Sequence, residues 1–407
     1  MKKTVLMTVF LILAAGVVIF YQNTISKTII GAVSQEDITT ISAMTDRQAT
    51  FQEFSNTFEQ IATDRGGEYA FELMRQAPLP FGLDTHLLGH VVGDIMYEQE
   101  GIAGMGLCQH DFRNACSHTM VVGALLEFGT GALPDIREAC YDAPGGKGAY
   151  TMCFHGLGHG VFAFNDYDMD KTVQMCGELG TTDYNNREAI ECFGGSVMEI
   201  IGGGGHDPEL WSVQRAKYLD PDNPFALCQS DIIPEEYKPM CYNYMTPYSY
   251  EALGANMSNP GAAIFDKAFE FCAMIPEENQ SERQSCYGGH GKEFIGLAVG
   301  RNFSAGARPT TDKLQLMYDW CALAEAQDGR RYCVLSTMGS LYWGGEQPYE
   351  VALEYCSIVE DEEAKSACYL EMIGNVRFYI DDPTYHQQFC ADVPSEYTAE
   401  CREVLSL

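Results

Sequence analysis

The chain has 407 residues, with 57 Asp or Glu against 25 Lys or Arg, a formal net charge of −32. So acidic a chain repels phosphate backbones and argues against a nucleic-acid partner, while it attracts cations and basic partners. The hydrophobic fraction, 46%, is ordinary for a globular protein and sufficient for a large core.

Lys2 and Lys3 precede an uncharged, mostly apolar stretch from Thr4 to Phe20. A basic start followed by an apolar segment is an export signal, and this one is at the short end of what spans a bilayer. No small-x-small cleavage site follows; the stretch ends in Val17-Val18-Ile19-Phe20-Tyr21. Residues 1–21 are therefore predicted to be a signal anchor or transmembrane helix, with cleavage near Ala14-Ala15-Gly16 as the alternative. The lysines stay inside, so the membrane is a partner through this helix and the bulk of the chain is extracytoplasmic, periplasmic or extracellular. Residues 22–65 are polar and cysteine-free, with helical patterning between Phe51 and Ile61. They read as a partly helical stalk or linker, or as a helix packed on the first repeat.

From residue 66 to 407 the cysteines organise the sequence. They fall into eight consecutive pairs: Cys108–Cys116, Cys140–Cys153, Cys176–Cys192, Cys228–Cys241, Cys272–Cys286, Cys321–Cys333, Cys356–Cys368 and Cys390–Cys401. None is left over, and sixteen cysteines in an exported chain point to disulfides. Before many first cysteines lies a Pro and a helix-like apolar pattern, clearest from Pro348 to Cys356. Between the two cysteines, Pro234-Glu235-Glu236, Pro276-Glu277-Glu278 and Pro394-Ser395-Glu396 read as helix starts, since Pro suits the first helical position and carboxylates favour the N-terminal end. Each unit is thus helix, loop, helix, with one cysteine on each arm. The predicted fold is all-α: about eight disulfide-stapled helical hairpins forming an α-solenoid or, if the curvature closes, an α/α toroid. Sel1-like and tetratricopeptide arrays are similar in outline, but their consensus residues are not matched. No C-x-x-C occurs, which argues against zinc ribbons, thioredoxin-like sites and covalent haem.

Six of the nine histidines lie between residues 86 and 159. His86 and His90 are four apart, as are His155 and His159, so each pair can share a helical face and present two imidazoles to one ion. Asp94 extends the first face by a turn. His118 and His155 each follow a second cysteine by two positions, which predicts the same wall of a stacked array. Later repeats keep a glycine-rich strip: Gly194, Gly195 and Glu199 after Cys192, and Gly288, Gly289, His290 and Glu293 after Cys286. Glycine in a helix costs about 1 kcal/mol relative to alanine, so close packing or a ligand near the backbone is expected to offset it.

The predicted metal ligands are His86, His90, His118, His155 and His159, with Glu199 or His290 as further contributors, holding a transition metal such as zinc or copper. The alternative is that these histidines cap or bond helices at tight glycine crossings. A zincin motif is absent, because Leu87 and Gly156 stand where its Glu would be. The glycine-rich helix starts resemble the inner helices of α/α toroid enzymes such as lanthionine cyclases; the resemblance implies shape only, since zinc there is held partly by thiolates.

Asp166-Tyr167-Asp168-Met169-Asp170 lacks the Gly and Glu of a calcium loop and reads as a turn before a helix. The Gly202–Gly205 run, followed by His206, reads as a loop; without a preceding strand or a Lys-Ser/Thr it implies no nucleotide. Tyr242, Tyr244, Tyr248 and Tyr250 suit either a core or a groove lining. Two functions follow: a metal-dependent protein whose site lies in the early repeats, with Glu199 or Glu293 available as a base, or a non-catalytic scaffold holding a protein, peptide or glycan in a concave groove.

Overall fold

The computed structural model describes residues 33–203, 207–257, 259–304 and 308–407. The expected signal anchor lies outside the described residues, as do the first part of the stalk and Gly204 to His206 of the expected loop. Every regular element among the described residues is a helix, and none is long and apolar enough to cross a membrane.

Residues 33–65, expected as a partly helical stalk, form α1 (Gln35–Asp46) and α2 (Phe51–Arg65). Thr50 and Glu53 cap α2 reciprocally, side chain to backbone in both directions. Phe54, Phe58 and Ala62 recur every fourth residue and are fully buried. This stripe packs α2 against α3 (Gly67–Gln76) and α4 (Thr85–Glu100), so the segment belongs to the body it was expected to hold away from a membrane.

The hairpins follow. After α5 (Ala115–Phe128) come α6 (Leu133–Asp142) with α7 (Gly146–Phe164), and α8 (Met169–Gly177) with α9 (Arg187–Gly202). Then α10 (Pro208–Arg215) leads to α11 (Ala226–Gln229) with α12 (Lys238–Ala252), and α13 (Ala262–Ala273) pairs with α14 (Gln280–Ala298). The series ends with α15 (Thr311–Cys321) and α16 (Gln327–Tyr342), α17 (Tyr349–Ile358) and α18 (Glu362–Tyr379), α19 (Pro383–Asp392) and α20 (Thr398–Val404).

All eight consecutive cysteine pairs are disulfides, with Cα atoms 5.5 to 5.7 Å apart. Closing a loop of such length contributes roughly 3 kcal/mol. The first unit departs from the pattern: Cys108 follows a 3-10 segment, Gly101–Leu107, instead of riding a helix. The Pro–acidic segments also differ from expectation. They form a turn ahead of the second helix, in which the carbonyls of Pro234, Pro276 and Pro394 accept the N–H three residues on, at 2.9, 3.0 and 2.9 Å. Their helices begin later, at Lys238, Gln280 and Thr398. Asp168 caps α8 by accepting the Lys171 N–H, the turn role expected of it.

Helices α4, α5, α7, α9, α12, α14, α16 and α18 pack side by side in that order, and α18 comes back to touch α7. The glycine strip serves this packing. A Cβ added at Gly158 would lie 1.9 Å from the Cys192 carbonyl oxygen, one at Gly195 equally close to that of His155, and one at Gly291 2.3 Å from that of Cys333. The early hairpins are tied to the late ones as well: the Thr85 N–H donates to the Arg301 carbonyl at 3.2 Å, and Asn302 donates to the Leu79 carbonyl at 3.1 Å.

Candidate metal centre

Three neighbouring helices deliver five imidazoles to one place. Asp84 caps α4 by accepting the Leu87 N–H at 3.0 Å, which starts the helix so that His86 and His90 fall one turn apart on its inner face. α5 brings His118 and α7 brings His155 and His159. The His118 ring sits in the middle: its centroid is 5.4 Å from that of His86, 5.8 Å from those of His90 and His155, and 6.0 Å from that of His159. His86 and His90 are 4.4 Å apart. One ligand atom from each of His86, His90 and His118 lies within 4.8 Å of the other two, so these three could hold a metal ion.

The hydrogen bonds fit that role. His86 Nδ1 donates to the Phe112 carbonyl at 2.8 Å, which fixes the tautomer and leaves Nε2 with the lone pair a metal needs. His159 Nδ1 meets Glu199 Oε2 at 2.9 Å, and its Nε2 is buried with no partner in the protein. Both ring nitrogens of His118 are buried and unpartnered. Such a group costs about 1–3 kcal/mol unless something satisfies it. Burial first, then the surrounding imidazoles, holds His118 well below the ordinary histidine pKa. Burial does the same for His155, helped by His159 and Lys292. Neutral imidazole is the form that binds metal.

A cavity of about 340 Å³ opens on the cluster, lined by His86, His90, Asp94, His118, His159 and Glu199, among others. Desolvation at its wall, with the charge of Glu98, lifts Asp94 to about 6. Glu199 stands behind His159 as its carboxylate partner. His155 turns away from this cavity: its ring is 4.9 Å from that of Tyr244, and its Nδ1 lies 3.8 Å from Glu191 Oε2. His290 is not brought to the cluster. It accepts the Tyr250 hydroxyl at Nδ1 or donates to it, at 2.7 Å, and packs against Phe269 and Phe294. Its ligand atom lies close to Cys272 and Cys286, but those sulfurs are joined to each other and offer no thiolate. Glu293, named as a possible base, is paired with Lys292 and lies 3.8 Å from Arg301.

One set of contributors was not visible in the pattern. The Phe112 carbonyl reaches His86 from a backbone in which Phe112, Arg113 and Asn114 all have positive φ, 48°, 58° and 61°. Successive left-handed non-glycine residues are costly and need support. Arg113 supplies it, lying over the Phe303 ring at 4.6 Å and the Trp343 ring at 4.2 Å, while its N–H donates to Glu346. Burial pushes Glu346 up to about 7, against the pull of Arg113. None of these partners is near in sequence, so only their aromatic and acidic types could have hinted at the contact.

No known protein family, curated protein or solved structure matches this chain.

Proposed function

We propose that this is a membrane-tethered, extracytoplasmic α/α toroid that binds a transition-metal ion, zinc or copper, through His86, His90 and His118. The observation that carries the reading is the convergence of three imidazole ligand atoms within 4.8 Å of one another, with both nitrogens of His118 otherwise unsatisfied. Imidazole suits zinc and copper, and His86, His90 and His118 would hold such an ion at the wall of an open cavity. An ion held there would supply Lewis-acid chemistry, and His159, held by Glu199, lines the same cavity as a proton-accepting group. The return of α18 to α7 supports a closed ring. Eight disulfides support an oxidising compartment, and Lys2-Lys3 ahead of an apolar stretch supports a membrane tether. The excess of acidic residues disfavours nucleic acid as a partner.

The test is elemental analysis of the full chain, purified oxidised and loaded with zinc or copper, beside His118→Ala and, as a control outside the cluster, His386→Ala. About one ion per chain is expected in the parent and the control and none in His118→Ala, with circular dichroism showing all three folded. Equal loading of parent and His118→Ala, or no loading of any, overturns the reading.

A further inference from the structure

A second cavity, of about 310 Å³, lies between α7, α9, α12, α14, α16 and α18 and shares no lining residue with the first. That volume is at the small end of ligand sites, about 300–1,000 Å³, and suits one or two sugar rings.

Its wall contains a glycine the fold does not require. Gly339 sits inside α16, has no positive φ, and a Cβ placed on it would meet nothing within 4 Å. Unlike Gly158, Gly195 or Gly291, it serves no helix crossing, yet it carries the helical penalty of about 1 kcal/mol. What its missing side chain leaves is room in the cavity.

Both cations in the wall are paired, and Glu371 adds an exposed carboxylate. Arg187 pairs with the buried Glu191 at 2.5 Å, and Lys292 pairs with Glu293 while lying over the Tyr244 ring at 4.8 Å. No lining cation is left for an anionic ligand. Arg187 lines the cavity and uses one nitrogen on Glu191, so further N–H donors remain for hydroxyl acceptors. Asn243, Gln284, Ser336 and Asn375 add neutral donors and acceptors. Tyr332, Trp343 and Tyr379 add aromatic faces, which can accept the C–H side of a sugar ring.

We propose that this central cavity binds a neutral polyhydroxylated molecule of one or two sugar rings. The proposal is independent of the metal reading. The test titrates the oxidised full chain with glucose, N-acetylglucosamine and trehalose, and separately with lysine and inorganic phosphate, by calorimetry and by tryptophan fluorescence. At least one sugar is expected to bind with a Kd below about 1 mM, and neither lysine nor phosphate. Gly339→Leu should weaken that binding at least about tenfold while keeping or raising the thermal midpoint, because leucine is the better helix former. His118→Ala should leave it unchanged. If Gly339→Leu does not fold, Gln284→Ala and Asn375→Ala carry the same expected loss. Binding of no sugar, binding of lysine or phosphate instead, or sugar binding undiminished in the folded cavity variants overturns the proposal.

Discussion

His118 and His290 are both sealed inside the molecule on inner helices, yet one faces four other imidazoles and the other a tyrosine hydroxyl and two phenylalanines. The difference lies in register. His118 and His155 stand two residues after their cysteines; His290 stands four after its own. Two residues turn a helix by about 200°, so the later position faces the opposite way. In other repeats that position holds Met120, Leu157, Met245 and Met372, all buried in the core. Where it is polar, it is small and bonded to a neighbouring backbone, Ser196 to Gly158 O at 2.9 Å and Thr337 to Gly291 O at 3.2 Å. Burial alone therefore does not make a histidine a ligand; the face of the repeat does.

The comparison can be broken most forcefully at the staples beside each histidine. Replacing Cys108 and Cys116 with alanine, next to His118, or Cys272 and Cys286, next to His290, should each cost about 3 kcal/mol in chemical denaturation. Only the first pair should also weaken metal binding, and equal weakening by both would erase the distinction. Next in size, His118→Ala should lose more than about 100-fold in zinc affinity against a chromogenic chelator, with His290→Leu within about twofold of the parent.

Acid titration separates the two sites differently. Burial, with Lys292 adding, holds folded His290 at about 3 against an ordinary value of 6.5. Between those values the unfolded chain binds the extra proton. The contribution to stability is therefore complete above about 6.5 and is lost as pH falls toward 3, at up to about 1.4 kcal/mol per pH unit. His290→Leu should show a shallower acid decline of the denaturation midpoint in metal-free protein; an identical slope would mean that His290 is protonated in the fold. The smallest effect is expected at Glu199→Gln, at most about tenfold in metal affinity, because it removes one carboxylate charge from the wall of the cavity beside the three ligands. No change there would remove the His159–Glu199 pair from the site.

The cysteine pairing was legible because consecutive partners need only a short hairpin, and the four-residue histidine spacings and the shared register of His118 and His155 were legible from helical geometry. The placement of His290 was not, because the glycine-rich surroundings it shares with the strip do not reveal its angle from Cys286. The glycine strip left packing and ligand as alternatives, and the contacts at Gly158, Gly195 and Gly291 decide for packing there, whereas a Cβ at Gly339 or Gly374 would meet nothing. The Arg113 contacts and the meeting of α7 with α18 join residues far apart in the chain, which no local pattern encodes.

The consecutive disulfides also set an order of events as the chain is made. Each bond joins cysteines no more than 16 residues apart, so a thiol entering an oxidising compartment meets its partner almost at once. No early cysteine has to wait, unprotected, for a partner from the far end. A cut between any two hairpins leaves an even number of cysteines on both sides and none orphaned, which makes the hairpin the natural unit for shortening or lengthening this chain.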